Sequence, residues 1–107
     1  MPDIRVCATS QVEPGNVEGF ELSTPDGAPL SVAVIHTESG RWFASQNRCS
    51  HGRFKLSEGW VEDDTIECTR HGAAFDLATG DVITPPATQP ITTYPVTLDG
   101  TDVYITI

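Results

Sequence analysis

Two short clusters of cysteine and histidine constrain this chain more than any other feature of its sequence. The first contains Cys49 and His51 in a C-x-H-G pattern, and the second, sixteen residues further on, contains Cys68 and His71 in C-x-x-H-G. Each cluster offers one thiolate and one imidazole, both of which bind transition metals. A glycine follows each histidine, which lets the backbone bend closely past a metal centre. We therefore predict a fold in which two distant loops meet at one metal site.

Two kinds of metal centre take two cysteines and two histidines. In a [2Fe–2S] cluster of mixed ligation, both cysteines bind one iron and both histidines bind the other. A structural zinc ion accepts the same four ligands, but its usual pattern pairs cysteine with cysteine and then histidine with histidine. Here each half of the pattern is mixed, and the first half has the tight C-x-H spacing. The spacing favours the iron–sulfur cluster and leaves zinc as an alternative.

The rest of the sequence indicates short β-strands. Apolar and polar residues alternate with a period of two, as in strands that bury one face, most clearly near residues 31–36 and 103–107. The pair Asp99-Gly100 between two such runs is a good hairpin signal. We predict an all-β fold with strands at Ile4–Ala8, Pro29–His36, Arg41–Gln46, Thr65–Thr69, Ile91–Leu98 and Asp102–Ile107.

The middle of the chain has a different character. From about residue 47 to residue 86, regular strand patterning gives way to glycine, cysteine, histidine and proline. Functional residues commonly lie on loops held by a rigid frame. We predict one domain over residues 1–107, in which residues 47–86 form a loop-rich, metal-binding subdomain set into a β scaffold.

Charge and cysteine count exclude several classes of partner. The net charge of −9, from 15 acidic and 6 basic residues, argues against nucleic acid and against anionic membranes. No apolar run approaches the length of a membrane span or of a signal peptide. The chain has three cysteines, an odd number without the spacing of a disulfide framework. We expect a cytoplasmic protein that binds neither nucleic acid nor membrane.

The two motifs, with the run Leu56-Ser57-Glu58-Gly59 between them and Pro85-Pro86 after them, resemble the Rieske ferredoxins of bacterial aromatic-ring-hydroxylating dioxygenases. Biphenyl-type and carbazole-type systems are the nearest likenesses. The resemblance covers nearly the whole chain and is strongest from about residue 47 to residue 95. It implies the Rieske iron–sulfur fold, an antiparallel β-sandwich with the cluster-binding subdomain at one tip.

The same resemblance implies a function and a set of site residues. One [2Fe–2S] cluster would be bound by Cys49, His51, Cys68 and His71. Electrons would flow from an NAD(P)H-dependent ferredoxin reductase, a flavoprotein, through this chain to a terminal oxygenase. The chain would then be an electron carrier, expected to be a monomer and not catalytic alone. The residues expected to shield the cluster or to contact partners are Gly52, Arg53, Lys55, Gly72, Ala73, Phe75, Pro85 and Pro86.

Two positions bear on the reduction potential. Respiratory-chain Rieske proteins place serine and tyrosine hydroxyls near the cluster, and the matching residues here are Ala73 and Phe75, which cannot donate. Fewer hydrogen bonds to the cluster stabilise its reduced, more negative state less. We therefore predict a potential near the low end of the Rieske range, about −150 mV.

Two other functions are compatible with parts of this pattern. One is a Rieske-type small subunit of another oxidoreductase, such as nitrite reductase. The other is a zinc-stabilised interaction module without a redox role. A catalytic oxygenase subunit is excluded, because it needs a second iron bound by two histidines and a carboxylate, and only His36 is left over. We predict structural roles for His36, for Cys7 in the first strand and for Trp60.

Overall fold

The computed structural model describes residues 3–48, 55–68, 73–84 and 90–107. These residues contain two single-turn 3-10 helices, at Thr9–Gln11 and Leu56–Glu58. The strands are β1 (Asp3–Ala8), β2 (Asn16–Ser23), β3 (Pro29–His36), β4 (Trp42–Gln46), β5 (Trp60–Glu62), β6 (Thr65–Glu67), β7 (Ala74–Asp76), β8 (Val82–Thr84), β9 (Thr93–Tyr94), β10 (Val96–Asp99) and β11 (Asp102–Thr106). The prediction of an all-β fold is confirmed.

The strands form three sheets in which every neighbouring pair is antiparallel. The terminal sheet has the order β1-β11-β10, the central sheet β2-β3-β4-β9, and the small sheet β5-β6-β7-β8. The terminal sheet joins the two ends of the chain, since Ile4 of β1 pairs with Ile105 of β11. The small sheet is built entirely from the middle of the sequence, where the metal-binding subdomain was expected.

Strand β3 lies between the other two sheets. Its residues Val32 and Val34 pack into a core shared with the terminal sheet, while Ala33 and Ile35 pack into a second core shared with the small sheet. All four side chains are fully buried. The expectation that this strand buries one face is wrong for β3, because its nearly continuous apolar run serves two neighbouring layers at once.

Several strands were missed or misplaced by the sequence patterns. In β2, Val17 packs towards the small sheet while Phe20 and Leu22 pack towards the terminal sheet, so the apolar residues change faces along the strand. β5, β7 and β8 have three residues each, too few for a periodic signal. The predicted strand 91–98 is divided at Pro95 into β9 and β10, since proline has no N–H for a sheet bond.

An ion pair and a close backbone approach connect the small sheet to the rest of the molecule. Arg41, just before β4, forms an ion pair and hydrogen bond with Asp64 in the turn between β5 and β6. Gly80, between β7 and β8, adopts a left-handed conformation with φ of 83°. A Cβ atom there would lie 2.2 Å from the carbonyl oxygen of Ile91, so only glycine fits this close approach. In the described segments, no helix has the length and apolar character needed to cross a bilayer.

Candidate metal centre

Of the four predicted metal ligands, the structure describes Cys68. The other three, Cys49, His51 and His71, lie outside the described residues, as do the predicted flanking residues Gly52, Arg53, Gly72, Pro85 and Pro86. Within the described part of the chain, no group of three or more His, Cys, Asp or Glu side chains has the arrangement of a metal site. The description of the centre therefore starts from Cys68 and from the ends of the chain segments that carry the remaining ligands.

Cys68 lies at the base of the second predicted ligand loop. It directly follows β6, and its backbone N–H donates to the carbonyl oxygen of Ala73, with 2.7 Å between the nitrogen and the oxygen. This hydrogen bond joins the two described residues that flank residues 69–72, a segment that includes His71. The strands β6 and β7 form the two sides of the same hairpin. The pairing of β6 with β7 therefore fixes the positions of Cys68 and Ala73 relative to each other.

The Cys68 side chain is a fully buried free thiol in the core below the small sheet. Its neighbours in that core include Ile66, Phe75 and Leu56. An apolar enclosure of this kind keeps water from a sulfur ligand, and it suits a cofactor whose potential depends on solvent exposure. The donor set of two cysteines and two histidines, with Cys68 held in this way, fits a [2Fe–2S] cluster.

Cys7 provides the contrast to Cys68. It lies in β1, buried in the core between the terminal and central sheets, as predicted for a plain strand residue. Burial raises the pKa of the Cys7 thiol, although the nearby charge of Arg5 lowers it slightly. A cysteine with a raised pKa in apolar surroundings remains a thiol and is chemically inert. The two described cysteines therefore belong to different cores.

The first predicted ligand loop, residues 49–54, is anchored at both ends by Asn47. The side-chain oxygen of this buried residue accepts a hydrogen bond from the backbone N–H of Ser57, at 2.8 Å. Its own backbone N–H donates to the carbonyl oxygen of Ser31 in β3. Gly19 makes room for it, because a Cβ atom at that position would lie 2.5 Å from the Asn47 side-chain nitrogen. Asn47 therefore ties together the chain before and after the loop.

Gln46 connects the chain just before the first predicted ligand loop to Thr92, which lies three residues after a third segment, residues 85–89. Its side-chain nitrogen donates to the carbonyl oxygen of Arg48 at 2.7 Å, next to the predicted ligand Cys49. Its side-chain oxygen accepts from the backbone N–H of Thr92 at 2.9 Å, and its backbone N–H donates to the Thr92 carbonyl. One half-buried glutamine thus holds the start of the ligand loop against the chain that follows the two prolines.

The ends of all three segments border one hydrophobic core. Leu56 closely follows the first segment, Cys68 and Ala73 enclose the second, and Ile91 comes two residues after the third. All four residues belong to the core cluster between the small and central sheets. The described residues that flank the three segments therefore share one core, and the meeting of the two cysteine–histidine loops at one metal site stays a prediction.

The remaining predicted site residues differ in exposure. Ala73 and Phe75 are fully buried, so their side chains form part of the core and do not reach the surface. Lys55 is exposed at the end of the first loop, and Arg48 is exposed at its start. Both basic residues line the same open groove with Asn47. The sequence patterns did not indicate the hydrogen-bonding roles of Gln46 and Asn47, although both residues lie within three positions of Cys49.

Two further side chains test the structural predictions. His36 has the predicted structural role, since its Nδ1 lies 3.0 Å from the carbonyl oxygen of Val12 and its ring stacks on Trp42 at 4.0 Å between centroids. The prediction that Trp60 is an ordinary packing residue is wrong. Its side chain is 59% exposed, because β5 places it on the face of the small sheet that points away from the core.

Comparisons with known proteins agree with this geometry. The sequence profile of the Rieske [2Fe-2S] domain matches residues 3–95. The 3-phenylpropionate/cinnamic acid dioxygenase ferredoxin subunit of Photorhabdus laumondii is 40% identical over 108 residues, covering 100% of this chain and 96% of the relative. A Sphingomonas yanoikuyae B1 ferredoxin superposes with a TM-score of 0.86 at 33% identity, covering 97% of both chains.

A further solved structure contains a ferredoxin together with its oxygenase. This complex of reduced oxygenase and oxidized ferredoxin in carbazole 1,9a-dioxygenase matches with a TM-score of 0.81 and 33% identity. The match covers 96% of this chain and 91% of that chain. The predicted Rieske iron–sulfur fold, and the resemblance to ferredoxins of aromatic-ring dioxygenases, are confirmed by these comparisons.

Proposed function

Because the chain belongs to the Rieske [2Fe–2S] domain family and so carries one [2Fe–2S] cluster, we propose that it is the electron carrier of a multicomponent aromatic-ring dioxygenase. It receives single electrons from an NAD(P)H-dependent ferredoxin reductase, a flavoprotein, and passes them to a terminal oxygenase. The observation that carries this proposal is the likeness over the full chain to the ferredoxin subunit of such a system. When bound, the cluster supplies one-electron redox chemistry.

The proposed ligands are Cys49, His51, Cys68 and His71. Supporting this assignment, Cys68 is a buried free thiol at the base of a closed loop. Leu56, which follows the segment with the other cysteine, belongs to the same core. In this proposal the chain is a single domain of residues 1–107, and residues 47–86 hold the cluster.

The flanking residues have three proposed tasks. Gly52 and Gly72 let the backbone turn beside the histidine ligands. Ala73, Phe75 and the two prolines, Pro85 and Pro86, shield the cluster with apolar groups. Lys55 is exposed beside the first ligand loop and contacts partners together with Arg53. The burial of Ala73 and Phe75 supports shielding, since side chains without solvent contact exclude water but do not bind a partner.

The chain does not catalyse hydroxylation alone. A mononuclear oxygenase iron needs two histidines and one carboxylate. With His51 and His71 assigned to the cluster, His36 is the third of three histidines. Its Nδ1 is engaged with the carbonyl oxygen of Val12 and its ring is stacked on Trp42. We therefore assign the hydroxylation chemistry to the separate terminal oxygenase.

The carrier is proposed to be a cytoplasmic monomer. Cys7 forms no disulfide although it lies in the core of the fold, as is usual in a reducing compartment. A carrier must bind two partners in turn and release both, which favours small interfaces of less than about 1,200 Å² in total. A monomer leaves its whole surface open for these alternating contacts.

A potentiometric titration of the purified protein, followed by its visible absorbance, tests the carrier function. We expect a single one-electron transition near the low end of the Rieske range, at about −150 mV. The physical reason is that Ala73 and Phe75 carry no hydroxyl group that donates a hydrogen bond to the cluster. A midpoint potential well above zero would contradict the expectation, because the reduced cluster would then be strongly stabilised without hydroxyl donors at Ala73 and Phe75.

A further inference from the structure

We infer that the outer face of the small sheet is a docking surface for the electron acceptor, and that the acceptor presents arginine or lysine side chains to it. The outer face is defined here by Trp60 and Glu62 of β5, Glu67 of β6, Ala74 of β7 and Ile83 of β8. The inference rests on the proposed function, because docking serves electron transfer only if the chain carries a redox cofactor. It adds a surface that is made of described strand residues and includes none of the residues predicted to contact partners.

The strand register determines which side chains form this face. Val61, Ile66 and Phe75 all pack into the core below the small sheet. Successive side chains of a strand point to opposite faces, so the residues flanking these three point outwards. Trp60 pairs with Glu67, and Glu67 pairs with Ala74, which places the three side chains in one row across neighbouring strands.

Large apolar side chains are exposed on both edge strands of the small sheet, β5 and β8. The Trp60 side chain is 59% exposed, and Ile83 on the opposite edge strand is 52% exposed. Three strand spacings separate these edges, a distance of about 14 Å. Tryptophan is well buried on average in folded proteins, and at interfaces it is enriched among the residues that contribute most to binding. The exposed Trp60 is therefore better explained by a partner than by the fold.

The backbone holds Trp60 in place. A Cβ atom at Gly59 would lie 2.0 Å from the carbonyl oxygen of Glu67, so the chain passes directly against β6 at this point. The close approach fixes the start of β5 beside Glu67. A partner therefore meets an indole ring on a rigid strand, which reduces the conformational entropy lost on binding.

The charge of the face determines what kind of partner fits. In the described ranges 60–67 and 73–84 there are six acidic residues and no lysine or arginine. Asp64 is paired with Arg41, and the Asp76 carboxylate accepts hydrogen bonds from backbone N–H groups of residues 78 and 79. Glu62 and Glu67 remain beside Trp60 on the outer face. Guanidinium or ammonium groups would pair with these carboxylates and stack on the indole ring.

The position of the face suits electron delivery. Glu67 directly precedes Cys68, and Ala74 directly follows Ala73, the two residues whose backbone hydrogen bond closes the second ligand loop. A partner seated on the row Trp60–Glu67–Ala74 therefore contacts the strands that carry a predicted ligand. A second copy of this chain is a poor occupant, because two faces of the same negative charge repel each other.

Stopped-flow oxidation of the dithionite-reduced holoprotein tests this docking surface. The two probes are ferric cytochrome c, a basic haem protein, and hexaammineruthenium(III), a small cation that needs no docking surface. In each reaction one electron leaves the reduced chain and reduces one metal centre of the acceptor. We expect Trp60→Ala to slow the reduction of cytochrome c about tenfold and to leave that of the ruthenium complex unchanged.

Matched variants separate docking from general effects. Leu98→Ala removes another exposed large apolar group, in β10 of the terminal sheet, and is expected to leave both rates within about twofold. Glu67→Gln is expected to slow cytochrome c reduction at low ionic strength and to make the rate depend less on salt concentration. Glu13→Gln removes the same charge from a residue outside the small sheet, and it is expected to change the rate less.

Three results would overturn the proposal in distinguishable ways. If Trp60→Ala reduces cytochrome c at the wild-type rate, the face does not dock a basic acceptor, although the carrier function stands. If light scattering shows that the wild type is a dimer and that Trp60→Ala is a monomer, the partner bound to this face is a second copy of this chain. If the wild-type holoprotein reduces neither acceptor, the proposed electron-carrier function fails and the docking surface fails with it.

Discussion

Replacing Cys68 with alanine is expected to abolish binding of the [2Fe–2S] cluster, whereas the same replacement at Cys7 leaves the cluster in place. Both cysteines are buried free thiols, with exposures of 0% and 1%. The two substitutions therefore remove the same sulfur atom from equally enclosed sites and carry a similar packing cost. They differ in position, because Cys68 closes a ligand loop while Cys7 lies in the core on the other side of β3.

The measurement is the iron and sulfide content of each purified variant, together with its visible spectrum. Cys68→Ala should contain almost no iron and be colourless, and Cys7→Ala should match the wild type. Circular dichroism of both variants shows whether the β fold is retained. A Cys68→Ala protein that keeps a full complement of iron and sulfide would remove Cys68 from the ligand set.

Replacing Gln46 with leucine is expected to lower the free energy of unfolding by about 2 kcal/mol, at about 1 kcal/mol for each side-chain hydrogen bond lost. The two bonds connect Gln46 to the carbonyl of Arg48 and to the N–H of Thr92. Because these groups lie at the ends of the first ligand loop and of the proline segment, the variant should also lose iron faster in the presence of a chelator. Urea denaturation and the rate of bleaching with chelator measure the two effects.

Two variants show which property of Gln46 matters. Gln46→Glu keeps an acceptor for the Thr92 N–H but places a carboxylate oxygen against the Arg48 carbonyl, so it is expected to bleach faster than the wild type at neutral pH. Gln11→Leu removes a glutamine that accepts one hydrogen bond from the Ala8 N–H at an exposed site. It should bleach at the wild-type rate. Equal bleaching of Gln46→Leu and the wild type would mean that Gln46 does not hold the ligand loop.

The ligand pattern and much of the strand pattern were readable from the sequence for physical reasons. Cysteine and histidine are scarce, and their paired order has few explanations other than a metal centre. β11 is readable because Val103 and Ile105 face one core, and the residues that alternate with them, Asp102, Tyr104 and Thr106, are less buried. Apolar and polar residues alternate in this way when one face of a strand is buried against a single core and the other face is not.

The features that were missed depend on contacts between distant parts of the chain. β2 was missed because its apolar residues pack on two different cores, with Val17 on one side and Phe20 on the other. The role of Gln46 depends on Thr92, which lies 46 residues further along the chain. The exposure of Trp60 follows from the pairing of β5 with β6. No local pattern reports such pairings, since register and layer order arise only in the folded sheet.

The central claim, that this chain carries a redox-active [2Fe–2S] cluster with mixed cysteine and histidine ligation, is tested most directly by electron paramagnetic resonance of the dithionite-reduced protein. Iron and acid-labile sulfide are assayed on the same sample. We expect a rhombic signal of a reduced [2Fe–2S] centre, with about two irons and two sulfides per chain. A colourless protein that gives no signal and contains one zinc ion would contradict the claim and indicate a structural module.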